Sequence, residues 1–343
     1  MVTKIGLDLG YANITLSDIT AGIYREPSVA LVNKNTRAVI SVGKAAASGE
    51  GGGDPDGMLV RPFKNGLLFD SKITQGIINN AISAVPPKEK LRCVVGVPSD
   101  FHAKQEKELF GLLSEAGVKE CFSVTRSVAA LIGAGYSPNI SAISVNIGAS
   151  CTEISVMHGG AVILSGRSMV GGEDFDKAVK QYIYDQGDVS VSLSVARAIK
   201  EKLGAVWQGK ANESIDIEGT LSLTGNRVRM TVTTEDIVGV FEQPLHRVLT
   251  AIADVVKRIP YDLVNAIFEN GIVLTGGAAE LYGMETVIEK VLGVSVTKPH
   301  DAIDCVAKGL SRINNIIPEK QRAGNKNITA QLSKFYTEKN NKQ

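Results

Sequence analysis

Ile5-Gly6-Leu7-Asp8-Leu9-Gly10, near the start of the chain, has a counterpart 138 positions later in Ile143-Ser144-Val145-Asn146-Ile147-Gly148. In both stretches an apolar strand ends in a small polar side chain followed within two residues by a glycine, and a second apolar strand comes next. The repetition predicts a duplicated β-hairpin. Glycine-containing hairpin tips present backbone amides that suit phosphate oxygens, and Asp8 stands where a metal ion carried by that phosphate needs an oxygen ligand.

A third glycine turn lies in Gly271-Ile272-Val273-Leu274-Thr275-Gly276-Gly277-Ala278. It predicts a strand that leads into a helix whose N-terminal amides face the same cleft as the two hairpins. The three turns together predict a nucleotide held between two lobes. Taken singly, the residues also fit local roles, because Asp8 or Asn146 can serve a turn and the two glycines can end a strand.

The composition excludes several classes of protein. The chain has 343 residues, enough for two lobes with hydrophobic cores, and its 37 basic and 36 acidic residues leave no charge excess that would attract nucleic acid. Four cysteines and four histidines are scattered without metal-binding spacing, which is typical of buried thiols in a reducing compartment. No leader pattern and no apolar run of about 18 residues is seen, so we expect a cytoplasmic protein.

Hydrophobic periodicity divides the chain into two α/β lobes and a tail. We expect a first lobe over residues 1–142, with an insertion at about 32–70, and a second over 143–317, with an insertion at about 183–240. Residues 318–343 form a basic polar tail. Its composition favours a disordered, solvated extension, whereas Ile328, Leu332 and Phe335 on one helical face favour a short helix.

These motifs, in this order, resemble the actin-like ATPase superfamily and, within it, the bacterial MreB/Mbl proteins over most of residues 3–315. Residues 6–13 look like the family's first phosphate loop, residues 146–153 like its second, and residues 271–279 like its adenosine motif; residues 61–66, 97–99 and 129–135 match further. Ile199-Lys200-Glu201-Lys202-Leu203 is similar to the ribose-contacting segment of actin. The resemblance implies an α/β, actin-like (RNase H-like) fold of two lobes that close on ATP and Mg²⁺. Each lobe would be a mixed sheet with helices and a small insertion subdomain.

The resemblance also implies which residues form the site. The nucleotide-binding set is Asp8, Gly10, Tyr11, Ala12, Asn13, Gly148, Ala149, Ser150, Cys151, Gly172, Lys200, Glu201, Gly276, Gly277 and Ala278. Asp8 would hold Mg²⁺ through a water molecule, and Asn146 would contribute weakly. Without the resemblance, Lys200 and Glu201 are simply a solvated pair on a polar helix face.

The chain departs from the family pattern at positions that handle phosphate and water. Asn146 replaces an aspartate and brings no negative charge, so metal affinity should fall. Arg126 lies in Thr125-Arg126-Ser127, where the family has Glu-Glu-Pro with a water-orienting glutamate. Loss of such a carboxylate lowers the rate of hydrolysis by about 10²–10⁴-fold. Tyr11 replaces a threonine beside the phosphates, and residues 149–151 replace Gly-Gly-Thr. We therefore expect at most a weak ATPase.

The leading hypothesis is an MreB-like, ATP-binding cytoskeletal filament protein involved in cell shape, with weakened or absent hydrolysis. Its partners would be itself or another MreB-type protein, with membrane-associated cell-shape proteins recruiting it to the inner face of the membrane. One alternative is a non-polymerising regulator that binds a true MreB filament. Another is a small-molecule kinase of the same superfold, which the altered catalytic positions disfavour.

Overall fold

A computed structural model of the chain describes residues 2–18, 22–48, 56–64, 67–68, 70–85, 90–318 and 326–341. Parts of the tail (319–325 and 342–343), residues 65–66 of the 61–66 motif and residues 86–89 lie outside the described residues. Within the described part of the chain, no helix is long and apolar enough to span a bilayer.

In the described ranges, the first half of the chain contributes ten strands and four helices. They are β1 (Val2–Leu9), β2 (Asn13–Asp18), β3 (Gly22–Pro27), β4 (Ala30–Asn33), β5 (Val39–Val42), α1 (Gly43–Ser48), β6 (Gly57–Val60), β7 (Phe63–Lys64), β8 (Leu67–Leu68), α2 (Ser71–Ser83), β9 (Lys90–Val97), α3 (Ala103–Glu115), β10 (Val118–Thr125) and α4 (Arg126–Gly133).

The second half follows a similar plan and ends in two further helices. Its elements are β11 (Ala142–Ile147), β12 (Thr152–His158), β13 (Ala161–Ser168), α5 (Gly172–Gly187), β14 (Val189–Ser190), α6 (Leu193–Leu203), β15 (Ser214–Leu221), β16 (Arg227–Thr233), α7 (Thr234–Val238), α8 (Glu242–Val256), α9 (Val264–Phe268), β17 (Ile272–Thr275), α10 (Met284–Leu292), β18 (Val296–Thr297), α11 (Cys305–Ile316), β19 (Lys326–Asn327) and α12 (Leu332–Asn340).

The two main sheets repeat one topology. The first runs β19-β10-β9-β1-β2-β3 and the second β13-β12-β11-β17-β18. In each, a hairpin supplies the antiparallel pair (β1 with β2, β11 with β12), and the next strand joins in parallel (β9, β17). Asp8 and Asn146 hold equivalent registers, facing Thr15 and Glu153 across their hairpins. The predicted duplicated hairpins and two-lobe α/β architecture are confirmed.

The insertions form small sheets beside the main ones. The first carries β5-β4-β6, and the second β14-β15-β16. Buried residues of the second insertion, such as Ile217 and Val232, belong to the same apolar core as the central strands of that lobe. The second insertion therefore packs as part of its lobe.

Two helices connect the lobes. α4 reaches the second sheet, where the Ser127 and Ser155 hydroxyls lie 2.6 Å apart. α11 returns to the first sheet, because Asn314 Nδ2 donates to the carbonyl oxygens of Ile5 (2.8 Å) and Arg92 (3.2 Å). α11, which the predicted division places in the second lobe (143–317), therefore also packs on the first sheet. Sequence periodicity gives the apolar face of α11 but not the sheet that it covers.

The tail is ordered over residues 326–341. β19 pairs in parallel with β10, and α12 follows. Ile328, Leu332 and Phe335 are all buried in the core between the lobes. Of the two expectations for the tail, α12 matches the short helix and not the solvated extension, because its apolar face packs into the core between the lobes.

Candidate functional site

The tip of the first hairpin is held in place by polar contacts from the neighbouring chain. Ser28 donates its hydroxyl to Gly10 O (2.7 Å) and its amide to Ala12 O (2.9 Å). Arg61 donates to the carbonyl oxygens of Tyr11 (3.1 Å) and Ala12 (3.3 Å). These hydrogen bonds therefore pair the carbonyl groups of Gly10, Tyr11 and Ala12 at the tip of the first hairpin.

The second hairpin is fixed by the start of α5. Gly172 N donates to Gly148 O (2.9 Å), and Glu173 N donates to Ala149 O (2.8 Å). A Cβ on Gly171 would lie 2.7 Å from Ala149 O, so only glycine allows α5 to approach this closely. The second phosphate-loop candidate is therefore joined to the start of α5 by backbone hydrogen bonds.

The third turn closes over the end of β11. Gly276 has φ 93°, a left-handed conformation that favours glycine, and a Cβ there would lie 2.4 Å from Ile147 O. Residues Gly277–Glu280 form a 3₁₀ turn, and α10 starts only at Met284. The sequence predicts this helix over Leu281–Leu292, just after the turn, and it begins three residues later, at Met284. Gly276, Gly277 and Ala278 of the turn line the smaller cavity described below.

The three turns enclose one continuous cleft made of two adjoining cavities of about 220 Å³ and 590 Å³. Lys200, Glu201, Gly277 and Ile303 line both. The smaller cavity contains the hairpin tips, and the larger contains Trp207, Leu281 and Tyr282. The cleft thus has a polar end and a partly aromatic end, as phosphates and a nucleobase require.

Most of the predicted site residues line this cleft together. In the smaller cavity these are Asp8, Gly10, Tyr11, Ala12, Asn13, Asn146, Gly148, Ala149, Gly172, Lys200, Glu201, Gly276, Gly277 and Ala278. Ser150 and Cys151 are not among the lining residues. Cys151 is buried, and burial raises the pKa of its thiol. Its backbone carbonyl accepts from Gly148 N and closes the hairpin, so Cys151 lies at the base of the tip.

Arg126 lies beneath the polar end of the cleft and binds the residue predicted to serve the metal. Its Nε donates to Asp8 Oδ1 (2.9 Å), and its Nη2 donates to Leu9 O (2.9 Å). Nη1 is 3.5 Å from Glu153 Oε1. Burial lowers the pKa of Arg126, but the negative charges of Asp8 and Glu153 raise it by more than burial lowers it. The pKa of Arg126 is therefore above its ordinary value. Burial also raises the pKa of Glu153, and Arg126 offsets only part of that rise.

Tyr11 lines the cleft beside the tip of the first hairpin. Its ring lies 5.2 Å from the Arg61 guanidinium. Burial, reinforced by the nearby Glu173 carboxylate, raises the pKa of Tyr11 to about 12. The ring of Tyr11 therefore forms part of the cavity wall at the polar end of the cleft.

Lys200 is held by internal partners. Its Nζ lies 2.6 Å from Asp176 Oδ1 and donates to Gly172 O (3.0 Å), while Arg197 Nε donates to Asp176 Oδ2 (3.2 Å). Asp176 is fully buried. Lys200 therefore joins α6 to the start of α5, and Glu201 beside it is exposed to the cleft.

Sequence reasoning missed several lining residues. On the polar side these are Thr15, Arg25, Arg197, Ile303 and Val306, and on the aromatic side Trp207, Lys210, Tyr282 and Lys298. Arg197 could have been found, because it precedes Lys200 by three residues on one helix face. Val306 and Ile303 had no local signal, since they reach the cleft only through the return of the chain to the first sheet.

A divalent metal fits these residues poorly. Asp8 Oδ1 and Glu153 Oε1 face a guanidinium, and the Asn146 amide accepts a long hydrogen bond from Thr275 Oγ1 (3.4 Å). Throughout the described ranges, no group of three or more His, Cys, Asp or Glu could hold a metal ion. Mg²⁺ requires hard oxygen ligands with negative charge, and here that charge is already neutralised in part by Arg126.

Comparison with known proteins places the chain in context. The MreB/Mbl protein family model matches residues 2–322. The cell shape-determining protein Mbl of Bacillus cereus is 29% identical over 312 residues, covering 89% of this chain and 93% of that protein. The cell shape-determining protein MreB of Escherichia coli is 27% identical over 316 residues, covering 89% and 91%.

Solved structures agree with the fold. MreB5 of Spiroplasma citri bound to ADP superposes with a TM-score of 0.87 at 22% identity, covering 94% of this chain and 99% of that one. A MamK double helical filament gives a TM-score of 0.80 at 20% identity, covering 93% and 100%. The expected actin-like fold is therefore confirmed.

Proposed function

Because the chain belongs to the MreB/Mbl protein family, we propose that it is a bacterial actin homologue that binds ATP between its lobes, assembles into filaments and acts in cell shape. Its relatives named above are cell shape-determining proteins, and their similarity extends over nearly the whole chain. The same evidence disfavours a small-molecule kinase.

Nucleotide binding is the best-supported part of this proposal. The polar end of the cleft offers the two glycine-containing hairpin tips to phosphate groups, and the larger cavity offers the Trp207 and Tyr282 rings near a base. Glu201 lies where both cavities meet and is the candidate ribose contact. MreB5 of Spiroplasma citri, similar in fold, was crystallised with ADP and with AMPPNP.

Weak hydrolysis is proposed from one observation: Arg126, at the position of the family's water-orienting glutamate, is ion-paired with Asp8 at 2.9 Å. A guanidinium that stays protonated cannot accept a proton from an attacking water. Glu153, the second carboxylate beside Arg126, is buried and faces that guanidinium. The missing general base costs about 10²–10⁴-fold in rate, so ATP bound here is a persistent ligand.

Self-assembly into filaments is proposed from family membership, and MamK, which shares the fold, has been solved as a double helical filament. An asymmetric subunit that contacts its neighbour head to tail gives an open polymer rather than a closed ring. We propose a location in the cytoplasm at the inner face of the membrane, with recruitment by membrane-associated partners.

Sedimentation with and without ATP, followed by electron microscopy of the pellet, tests the proposal. We expect double protofilaments in the ATP pellet and a steady-state phosphate release close to background. A monomer that pellets only with another MreB-type protein would instead support the non-polymerising regulator, and rapid turnover abolished by Asp8→Ala would contradict weak hydrolysis.

A further inference from the structure

The Arg126 guanidinium occupies a buried position directly under the first phosphate-loop candidate. It is the first residue of α4, its side chain is 8% exposed, and its three partners are Asp8, Glu153 and the carbonyl of Leu9. Asp8 lines the cleft, so the guanidinium acts on the cleft through that carboxylate.

The surrounding residues are fitted to a large cation. Gly96 of β9 faces the stem of Arg126, and a Cβ there would lie 3.1 Å from Arg126 Cγ. On the opposite side, Glu153 Oε2 is buried without a hydrogen-bond partner, so the carboxylate depends on the nearby positive charge. A buried carboxylate without a cation would be strongly disfavoured.

The electrostatic problem in such a cleft is the repulsion between Asp8 and an incoming phosphate. In an Mg²⁺-dependent site the ion neutralises both groups. Here Arg126 already neutralises Asp8 from below, and the second phosphate loop carries the uncharged Asn146 in place of a second carboxylate. A divalent ion would find few free anionic ligands and would be repelled by the guanidinium.

We propose that Arg126 is a built-in cation that takes the place of the divalent metal, so that the cleft binds free nucleoside di- or triphosphate and needs no Mg²⁺. The proposal rests on the nucleotide binding proposed above. Arg126 is a positioning residue in this scheme, because it acts by neutralising Asp8 and orienting its carboxylate.

Calorimetric titration of the full chain with ATP, once in excess Mg²⁺ and once in EDTA, tests the proposal. We expect the dissociation constants for ATP in the two buffers to agree within about threefold. At a site where metal and nucleotide bind cooperatively, these two constants would differ by about 5–150-fold. In Arg126→Gln we expect weak binding in EDTA that Mg²⁺ restores by about 10–100-fold, because Asp8 is then free to serve a metal. Arg126→Lys keeps the charge and should stay insensitive to Mg²⁺.

Two further variants separate this effect from misfolding. Arg92→Gln breaks a comparable buried pair, Arg92 Nε to Glu120 Oε2 at 2.6 Å, away from the cleft, and should lower stability without creating Mg²⁺ dependence. If Arg126→Gln alone fails to fold, the titrations are made with Arg126→Gln combined with Glu153→Gln. This double variant has no buried carboxylate left without a cation at position 153, and its Asp8 is still not neutralised.

The outcomes separate the two proposals. If the dissociation constant of the wild type for ATP is more than about tenfold higher in EDTA than in Mg²⁺, the built-in cation is overturned and the proposed nucleotide binding stands. Equal Mg²⁺ sensitivity of wild type and Arg126→Gln also overturns it. Absence of binding in both buffers overturns the proposed function, and the inference with it.

Discussion

Gly309→Ala should destabilise the protein strongly, although alanine is the better helix former. α4 and α11 cross in backbone contact: a Cβ on Gly309 would lie 1.7 Å from Ala129 O, and a Cβ on Gly133 would lie 1.7 Å from Cys305 O. Ordinary contact begins at 3.4 Å, so the helices would have to separate by about 1.7 Å. The obstructing atoms are backbone and cannot rotate away.

The magnitude follows from two opposing terms. Overpacking of this kind costs about 3 kcal/mol or slightly more, and the helix propensity of alanine returns about 1 kcal/mol. The net loss is about 2–3 kcal/mol. With an unfolding entropy of about 2.1 cal/mol/K per residue, a chain of 343 residues should lose about 3–4 °C in Tm.

Scanning calorimetry without nucleotide measures this change, and Gly111→Ala is the matched control. Gly111 lies in α3, is exposed and has no atom within 4 Å of an added Cβ, so the same substitution should stabilise by up to about 1 kcal/mol. Gly309→Ala should also weaken ATP binding, because α4 carries Arg126 and α11 carries Val306 of the cleft. A Tm for Gly309→Ala equal to or above that of wild type would refute the close crossing of these helices.

Three further predictions concern the tail and the first hairpin. Phe335→Ala should lower the free energy of unfolding by about 3–5 kcal/mol in calorimetry, because the ring is buried between the lobes. Lys334→Ala, at an exposed neighbouring position, should change it by less than about 0.5 kcal/mol. Equal effects of the two substitutions would contradict the packing of α12. In absorbance titration, the difference between wild type and Tyr11→Phe should show a phenol with a pKa of about 12 instead of 10. The contribution of this phenol to stability is complete below about pH 10 and is lost as the pH rises towards 12. A midpoint at 10 would refute the burial of the phenol beside Glu173. Arg61→Lys removes the forked contacts to the hairpin carbonyls and should weaken ATP binding by about 10-fold in calorimetry; unchanged affinity would show that the tip needs no support.

The sequence predicted the elements that local pattern determines. Alternating apolar residues located both hairpins, and the shared phrase at Asp8 and Asn146 predicted their equivalent registers, because strand periodicity and glycine turns are local properties. The glycine motifs likewise predicted most of the lining of the smaller cavity, but of the larger cavity only Gly277. Helix starts were less certain: the 3₁₀ turn at Gly277–Glu280 delays α10, and local propensity does not distinguish the two.

Long-range contacts could not be predicted in this way. The ion pair between Asp8 and Arg126 joins residues 118 positions apart, and periodicity carries no information about which charges meet. The return of α11 to the first sheet and the burial of Phe335 depend on the same kind of tertiary contact. The polar composition of the tail concealed its three apolar anchors, which matter more than its net charge once they share a face.

The most direct test of the account is a single-turnover experiment with excess protein and γ-labelled ATP, filtered after increasing times. On the proposal that the site binds nucleotide and lacks a general base, label should stay on the protein and be recovered as triphosphate after about an hour. Recovery of free labelled phosphate within minutes, or label that passes through the filter at every time, would contradict it.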